Sequence, residues 1–220
     1  MAEIDFVGPL HSRTKRDYVG RVVDHDKAAC AEVAKRYGKD YWDGERQYGY
    51  GGYHYDGRWC PVAEAMAAHY KLKPGDRILD IGCGKGYLLY EFTQVMPGVT
   101  VAGIDISRYG IDNAKDEVKP FLKVGSCTKL PYDDRSFDFV CSLGTFHNLY
   151  NHQLKSAIHE MQRVGRERKY ICVESYRNER EKANLLYWQL TCETFLTPEE
   201  WHWLLGEYSY DGDYGFIFFE

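Results

Sequence analysis

The sequence predicts an α/β fold: a doubly wound, mostly parallel seven-stranded sheet with helices on both faces and a C-terminal antiparallel hairpin strand. Three observations predict it. From Arg77 onward, short apolar runs alternate with longer segments of helical periodicity, and strands that alternate with helices pair in parallel. The first of these runs, "RILDIG", passes directly into a glycine-rich turn and then a helix. The last segment, "EYSYDGDYGFIFFE", sets two aromatic-rich runs around Asp and Gly turn residues, the pattern of a hairpin.

Each element has its own signal. "DHDKAACAEVAKRYG" reads as a helix with an aspartate at its start and Gly38 as its stop. A tract rich in tyrosine and glycine, "QYGYGGYHYDGRW", runs from Gln47 to Trp59. "CPVAEAMAAHYKLKPG" is a helix with Pro61 in its first turn and Pro74-Gly75 beyond its end. "RILDIG" is a strand and "YLLYEFTQVMPG" a helix; "TVAGIDI" is a strand and "SRYGIDNAKDEV" a helix that Ser107 caps. "FLKVGS" and "FDFVCSL" are strands, and "NHQLKSAIHEMQRVG" is a helix. "KYICVESY" is a strand, followed by the helix "NEREKANLLYWQL". "TPEEWHWLLG" opens with a capping box, Thr197 at the cap and Glu200 three residues on. Residues 1–60 form an N-terminal segment and 61–220 the sheet-bearing body of one compact domain.

Composition narrows the function. With 44% hydrophobic and 28% charged residues, the chain of 220 has the profile of a soluble globular protein. A net charge of −5 argues against broad nucleic-acid binding, and the basic runs at 13–21 and 163–169 read as solvated faces. No apolar run is long enough to span a membrane or serve as a signal peptide. Seven cysteines, an odd number without a C-x-x-C pair, read as buried free thiols of a cytoplasmic protein, with neither disulfides nor a metal site. His147 and His152 lack a metal-binding spacing.

The sharpest chemical signal is "ILDIGCGKGYL", Ile78 to Leu88. Asp80 ends the first strand, and Gly82, Gly84 and Gly86 follow at G-x-G-x-G spacing before a helix begins. Glycines permit a tight turn and close backbone approach to a ligand. Asp105, at the end of the next strand, is placed to accept hydrogen bonds from two ribose hydroxyls. This spacing differs from the G-x-G-x-x-G of dinucleotide enzymes. It resembles motif I of the class I S-adenosylmethionine-dependent methyltransferases. The resemblance extends from about Pro61 to Glu220, because Leu130-Pro131-Tyr132 and Ser136-Phe137-Asp138 match the family's pattern between its third and fourth strands.

The resemblance implies S-adenosyl-L-methionine as cofactor and S-adenosylhomocysteine as product. It implies that Asp80, Gly82, Cys83, Gly84 and Gly86 hold the amino-acid end, that Asp105 holds the ribose, and that Ile106 is a further cofactor contact. Ser126, where the family has aspartate, and Cys127 would meet the adenine, with Leu143 completing the set. The same glycine loop would also serve another Rossmann-like enzyme or a non-catalytic cofactor-binding module.

Methyl transfer is an in-line displacement that needs alignment, exclusion of water and a destination for any proton. The Tyr/Gly tract is expected to form a lid, with a surface loop or dimer contact as the alternatives. Tyrosine and tryptophan faces suit a sulfonium cation, and glycines let a lid hinge. Tyr48, Tyr50, Trp59, Arg46 and Arg58 are the expected substrate contacts, the arginines as anchors for an anion. The catalytic candidates are His147, as base or as a pocket-shaping residue, Glu174, as proton acceptor or partner of Arg177 or Arg180, and Tyr53. The expected acceptor is the hydroxyl or amine of a small polar, anionic metabolite, such as a nucleotide-activated sugar or surface-polysaccharide precursor. Quinone-like, lipid and protein acceptors are the rivals. No nucleic acid or membrane partner is expected, and a homodimer is the one assembly considered.

Overall fold

The computed structural model describes residues 1–11, 14 and 16–220. Arg13 and Lys15, in the basic run at 13–21, lie outside the described residues. Four short helices open the chain: α1 (Gly8–His11), α2 (Gly20–Val23), α3 (Lys27–Ala34) and α4 (Lys39–Asp43). A 3-10 turn at Arg46–Tyr48 and the rest of the Tyr/Gly tract lead to α5 (Cys60–His69). The alternating part follows: β1 (Arg77–Ile81), α6 (Tyr87–Val95), β2 (Thr100–Asp105), α7 (Arg108–Asp112), β3 (Leu122–Val124) and β4 (Phe137–Leu143). It closes with α8 (Asn151–Val164), β5 (Gly165–Glu174), α9 (Glu179–Trp188), α10 (Pro198–Glu207) and β6 (Asp213–Ile217).

The sheet order is β3-β2-β1-β4-β5-β6, and every neighbouring pair is parallel. This corrects two expectations. The sheet has six strands rather than seven among the described residues, and the C-terminal segment adds no antiparallel hairpin. The aromatic run before Asp211 closes α10 instead of forming a strand. Tyr208 N–H bonds Leu204 O, Ser209 turns with a φ of 54°, and Tyr210 N–H bonds Leu205 O at 2.9 Å. Tyr210 is buried, and its hydroxyl donates to Asp213 O at 2.8 Å. The outer edge of β6 is covered by the N-terminus: Ile4 N–H bonds Tyr214 O, and Tyr214 N–H bonds Ala2 O. This single parallel bridge covers the edge at Tyr214.

Side chains alternate across a strand, so a sheet with helices on both faces has two cores. Ile78, Phe139, Cys141, Tyr170 and Cys172 pack with Met66, Leu89, Phe92 and Leu185 on one face. Leu79, Ile81, Val140, Ile171 and Val173 pack with Leu154, Ile158, Met161, Trp201 and Leu205 on the other. Local signals hold at the helix starts. Asp26 accepts from Ala28 and Ala29, and Ser107 Oγ accepts from Gly110 N–H at 2.9 Å. The helix expected after Ser107 is shorter than its sequence pattern, because the chain leaves it to bond Lys115 N–H to Lys85 O. All seven cysteines are unpaired; five are buried, while Cys60 and Cys127 are half-buried.

The capping box forms as expected: Glu200 N–H donates to Thr197 Oγ1 at 3.2 Å, and Thr197 N–H donates to Glu200 Oε2 at 2.8 Å. Replacing such a cap costs about 1 kcal/mol. Thr197→Ala should therefore lower unfolding free energy in urea by about that amount. An unchanged midpoint would show that α10 is held by the packing of Trp201 alone.

Candidate active site

The glycine loop follows β1 and is held from β2. Gly82 and Cys83 donate their N–H groups to Ile104 O at 2.7 and 3.2 Å. Gly84 N–H donates to Asp105 Oδ2 at 2.8 Å, and Ser107 N–H to Asp105 Oδ1 at 2.7 Å. Gly82 has a φ of +85°, and a Cβ there would lie 1.9 Å from Thr145 Oγ1. Gly84 has a φ of +52°, and a Cβ there would lie 2.6 Å from Trp42 Cη2. Both positions therefore require glycine for conformation and for space.

Asp80 is 4% exposed, and its Oδ1 is buried with no hydrogen-bond partner. Burial, reinforced by the nearby Asp105 charge, raises its carboxyl to about 7. A buried carboxylate oxygen without a partner at the mouth of a glycine turn is a receptor for a cation. Burial also raises Asp105, against the two N–H groups that favour its charged form.

The N-terminal segment sits on this loop. Trp42 is buried, donates its indole N–H to Ser107 Oγ at 2.8 Å, and stacks on Tyr50 at a centroid distance of 5.3 Å. Lys85, the charged residue within the glycine loop, is 3% exposed. Its ammonium bonds both Asp43 oxygens at 2.7 Å and Tyr53 O at 2.8 Å. Asp43 also accepts from Tyr53 N–H at 3.0 Å and from the Tyr109 hydroxyl at 2.9 Å. Burial alone would raise the Asp43 carboxyl, but the Lys85, Tyr53 and Tyr109 donors outweigh it and hold it below its ordinary value. The Tyr/Gly tract is thus fastened to the glycine loop.

A cavity of about 430 Å³ opens between this segment and the carboxyl ends of β1, β4 and β5. Glu174 and His147 form its polar floor, each buried. His147 Nδ1 accepts from Glu174 N–H at 3.2 Å, which places the imidazole proton on Nε2. That nitrogen lies 3.3 Å from Glu174 Oε2, but off the line of an aligned hydrogen bond, so Oε2 keeps an open lone pair. Gln189 donates to Oε1. Burial raises the Glu174 carboxyl to about 8, with Arg16 and Gln189 opposing. Burial, then the His11 charge, lowers His147 to about 3.

A methyltransferase-domain family model matches residues 72–208. The chain belongs to this methyltransferase family. It is of the class I, S-adenosylmethionine-dependent kind that the glycine-loop sequence resembles. A demethylmenaquinone methyltransferase from Symbiobacterium thermophilum is 31% identical over 131 residues, covering 54% of this chain and 50% of that protein. A 27-O-demethylrifamycin SV methyltransferase from Amycolatopsis mediterranei is 30% identical over 114 residues, covering 48% of this chain and 42% of that protein. The chain spans about half the length of these curated relatives or less. The YcgJ protein of Bacillus subtilis shares the fold, with a TM-score of 0.54 and 20% identity over 66% of each chain. Among the described residues, no helix is long and apolar enough to cross a membrane.

On this methyltransferase scaffold the expected residues fall into three groups. Asp80, Gly82, Cys83, Gly84, Leu143, His147 and Glu174 line the cavity together with Arg46, Tyr50, Tyr53, Arg58 and Trp59. Gly86, Asp105, Ile106, Ser126 and Cys127 lie off its wall; Ile106 is 64% exposed, and Ser126 Oγ pairs with Thr128 Oγ1 at 2.8 Å. Tyr48 is also off the wall, packed against the cluster of Cys30, Ala34 and Leu190. Arg58 reaches the wall but is ion-paired to Asp56 at 2.5 Å. Arg177 pairs with Glu181 and Glu220 rather than Glu174. Tyr53 accepts from Trp59 Nε1 at 2.9 Å, and burial pushes its phenol far above the ordinary range.

Trp42, Asp43, Lys85, Arg16, Arg21, Trp188 and Gln189 were not signalled by any motif. A lysine inside a glycine turn was the one local sign, since a charge there needs a partner once the loop is covered. Arg16 and Arg21, expected on a solvated face, are half-buried on the cavity wall because α2 folds back against α9.

Asp43→Asn leaves Lys85 with neutral acceptors in place of a carboxylate, a loss of about 1–1.5 kcal/mol. In cofactor-free protein, limited proteolysis between Tyr48 and Trp59 should then speed up about tenfold. Equal cleavage of the variant and the parent would show that the tract is held by its aromatic contacts instead.

Proposed function

We propose that the chain transfers a methyl group from S-adenosylmethionine to a hydroxyl or amine of a small polar, anionic metabolite, with Glu174 taking the proton. The observation that supports this best is the open Oε2 of a buried carboxylate on the cavity floor, raised to about 8. A general base is most useful when its pKa lies near the working pH.

The residues present fit the cofactor. The partnerless Asp80 Oδ1 suits its cationic amino-acid end, and a turn without Cβ atoms at Gly82 and Gly84 lets the backbone approach a ligand closely. Asp105 keeps lone pairs for the ribose beside its two N–H donors. Ile106, Ser126, Cys127 and Leu143 would flank the adenine. Bound there, S-adenosylmethionine would supply an electrophilic methyl on a sulfonium. Trp42, Tyr50 and Tyr53 are held above the loop, where their rings exclude water and face a cation. His147 acts on Glu174 rather than on the acceptor. Its lone pair is engaged by a main-chain N–H, so the expected role as base passes to the carboxylate. The Tyr/Gly tract is, in this reading, the cover of the cavity.

The similarity to a demethylmenaquinone methyltransferase favours a quinone-like acceptor as the second reading. The arginines on the cavity wall suit a charged metabolite better than an isoprenoid tail. A nucleotide-activated sugar is one acceptor that carries such charge.

Incubation with labelled S-adenosylmethionine and a fractionated extract should place label on a low-mass anion. Label found only on a quinone presented in detergent would favour the second reading. For the acceptor so found, kcat/KM should rise with pH through about 8 and level off above it, because only the deprotonated Glu174 accepts a proton. Glu174→Gln should lower kcat about 10²–10⁴-fold and abolish that rise, with cofactor affinity little changed. A pH profile preserved in the variant would remove Glu174 as the base.

A further inference from the structure

Three arginines from separate turns of the N-terminal segment converge on one ring. The guanidinium carbons of Arg16, Arg21 and Arg46 lie 5.7, 5.0 and 4.9 Å from the Trp188 ring centroid. Arg16 also stands 5.0 Å from the Phe219 centroid. All five side chains line the cavity.

Among the described residues, none of the three guanidiniums is ion-paired. Other arginines do pair: Arg58 with Asp56, Arg163 with Glu160, Arg168 with Asp76 and Arg177 with Glu181. Among the described residues, Arg16, Arg21 and Arg46 are held by neutral acceptors. Arg16 reaches His11 O and Thr14 O at 3.4 Å and His11 Nδ1 at 2.9 Å. Arg21 donates to Trp188 O at 3.3 Å and to Arg46 O. Arg46 donates to Gly49 O at 2.6 Å and Tyr50 O at 3.0 Å. The Nε of Arg16 is buried with no hydrogen-bond partner among the described residues. Burial and the Arg46 charge bring Arg21 down to about 10, and burial and Arg16 lower Arg46, as expected for cations gathered without a counter-ion. Trp188 and the carbonyls hold three guanidiniums side by side on the cavity wall, and a planar guanidinium is suited to receive an oxyanion through paired N–H···O bonds.

We propose that Arg16, Arg21 and Arg46, arrayed around Trp188, form a subsite for the phosphate or carboxylate group of the methyl acceptor. This rests on the methyltransferase reading and names the acceptor's anchoring chemistry. The cofactor also carries a carboxylate, but the subsite lies towards the wrong end of the sheet for it. Trp188 ends the helix that follows β5, whose last residue is Glu174, whereas the glycine loop follows β1 and β4 lies between them. Two strand spacings separate β1 from β5, about 10 Å. An anion at Trp188 therefore places the rest of an acceptor over the Glu174 carboxylate.

The test is calorimetric titration of inorganic pyrophosphate into the full chain saturated with S-adenosylhomocysteine, at low and at high salt. Pyrophosphate should bind, with an affinity that falls as salt rises. Arg16→Gln and Arg46→Gln should each weaken it about tenfold, Arg46→Lys less, while affinity for S-adenosylhomocysteine stays within about twofold. The titration of the parent chain stands even if a variant fails to fold: no binding there overturns the proposal. Variants that fold and bind pyrophosphate like the parent also overturn it. If Arg16→Gln weakens S-adenosylhomocysteine but not methylthioadenosine, which lacks the amino-acid end, the arginines hold the cofactor carboxylate and the acceptor assignment is wrong. Because the readout is binding, it separates from turnover: pyrophosphate binding without any methylated product would fault the proposed reaction and leave the subsite standing.

Discussion

One carboxylate organises the site. Asp105 accepts from Gly84 N–H through one oxygen and from Ser107 N–H through the other. It thereby ties the turn after β1 to the turn after β2. The glycine loop cannot hold its own shape, since positive φ values at Gly82 and Gly84 cost backbone entropy that must be met from outside. With the loop fixed, Asp80 Oδ1 is left facing the cavity alone. The same loop presents Lys85 to Asp43, so the N-terminal segment docks where the loop is already rigid. In the charge pair that results, Lys85 is buried while the Asp43 carboxylate keeps some contact with water. The glycine turn and the N-terminal segment docked on it therefore depend on a common anchor.

The site separates two buried acids by task. Asp80 has a partnerless oxygen beside the glycine turn, and Glu174 has one beside His147, two strands away in the sheet order. Burial raises both, to about 7 and about 8. The first is suited to meet a fixed positive charge, the second to take a proton. His147 holds the Glu174 main chain through Nδ1 and turns its Nε2–H towards the carboxylate. What distinguishes them is place: Asp80 stands beside the glycine turn after β1, and Glu174 at the end of β5 beside His147.

Much of the fold was legible because its signals are local. Strand-helix alternation, the Ser107 and Thr197 caps and the two-faced strands all appear in runs of a few residues. The hairpin was misread for the same reason. "YSYDG" has the alternation of a strand end and turn, yet Tyr208 to Tyr210 are claimed by the carbonyls of α10. Around the site, the glycines were legible because a positive-φ turn between a strand and a helix imposes a local spacing. The Asp43–Lys85 pair and the arginines on Trp188 were not, because their partners are brought together only by tertiary folding: 42 residues separate Lys85 from Asp43, and 167 separate Arg21 from Trp188. Tyr48 was assigned to the cavity by composition of its tract, but the 3-10 turn at Arg46–Tyr48 rotates it into the cluster with Leu190.

Asp80 is a buried carboxyl raised to about 7, with one oxygen left open to a cation. Calorimetric titration of S-adenosylmethionine at pH 6, in buffers of different ionisation heat, tests it most directly. A carboxyl raised to about 7 is mostly protonated at that pH, and a cation bound beside it lowers its pKa, so binding should release about one proton to the buffer. Asp80→Asn should lose that release together with most of the affinity. Binding of equal strength to the parent and the variant, with no proton released by either, would contradict the account.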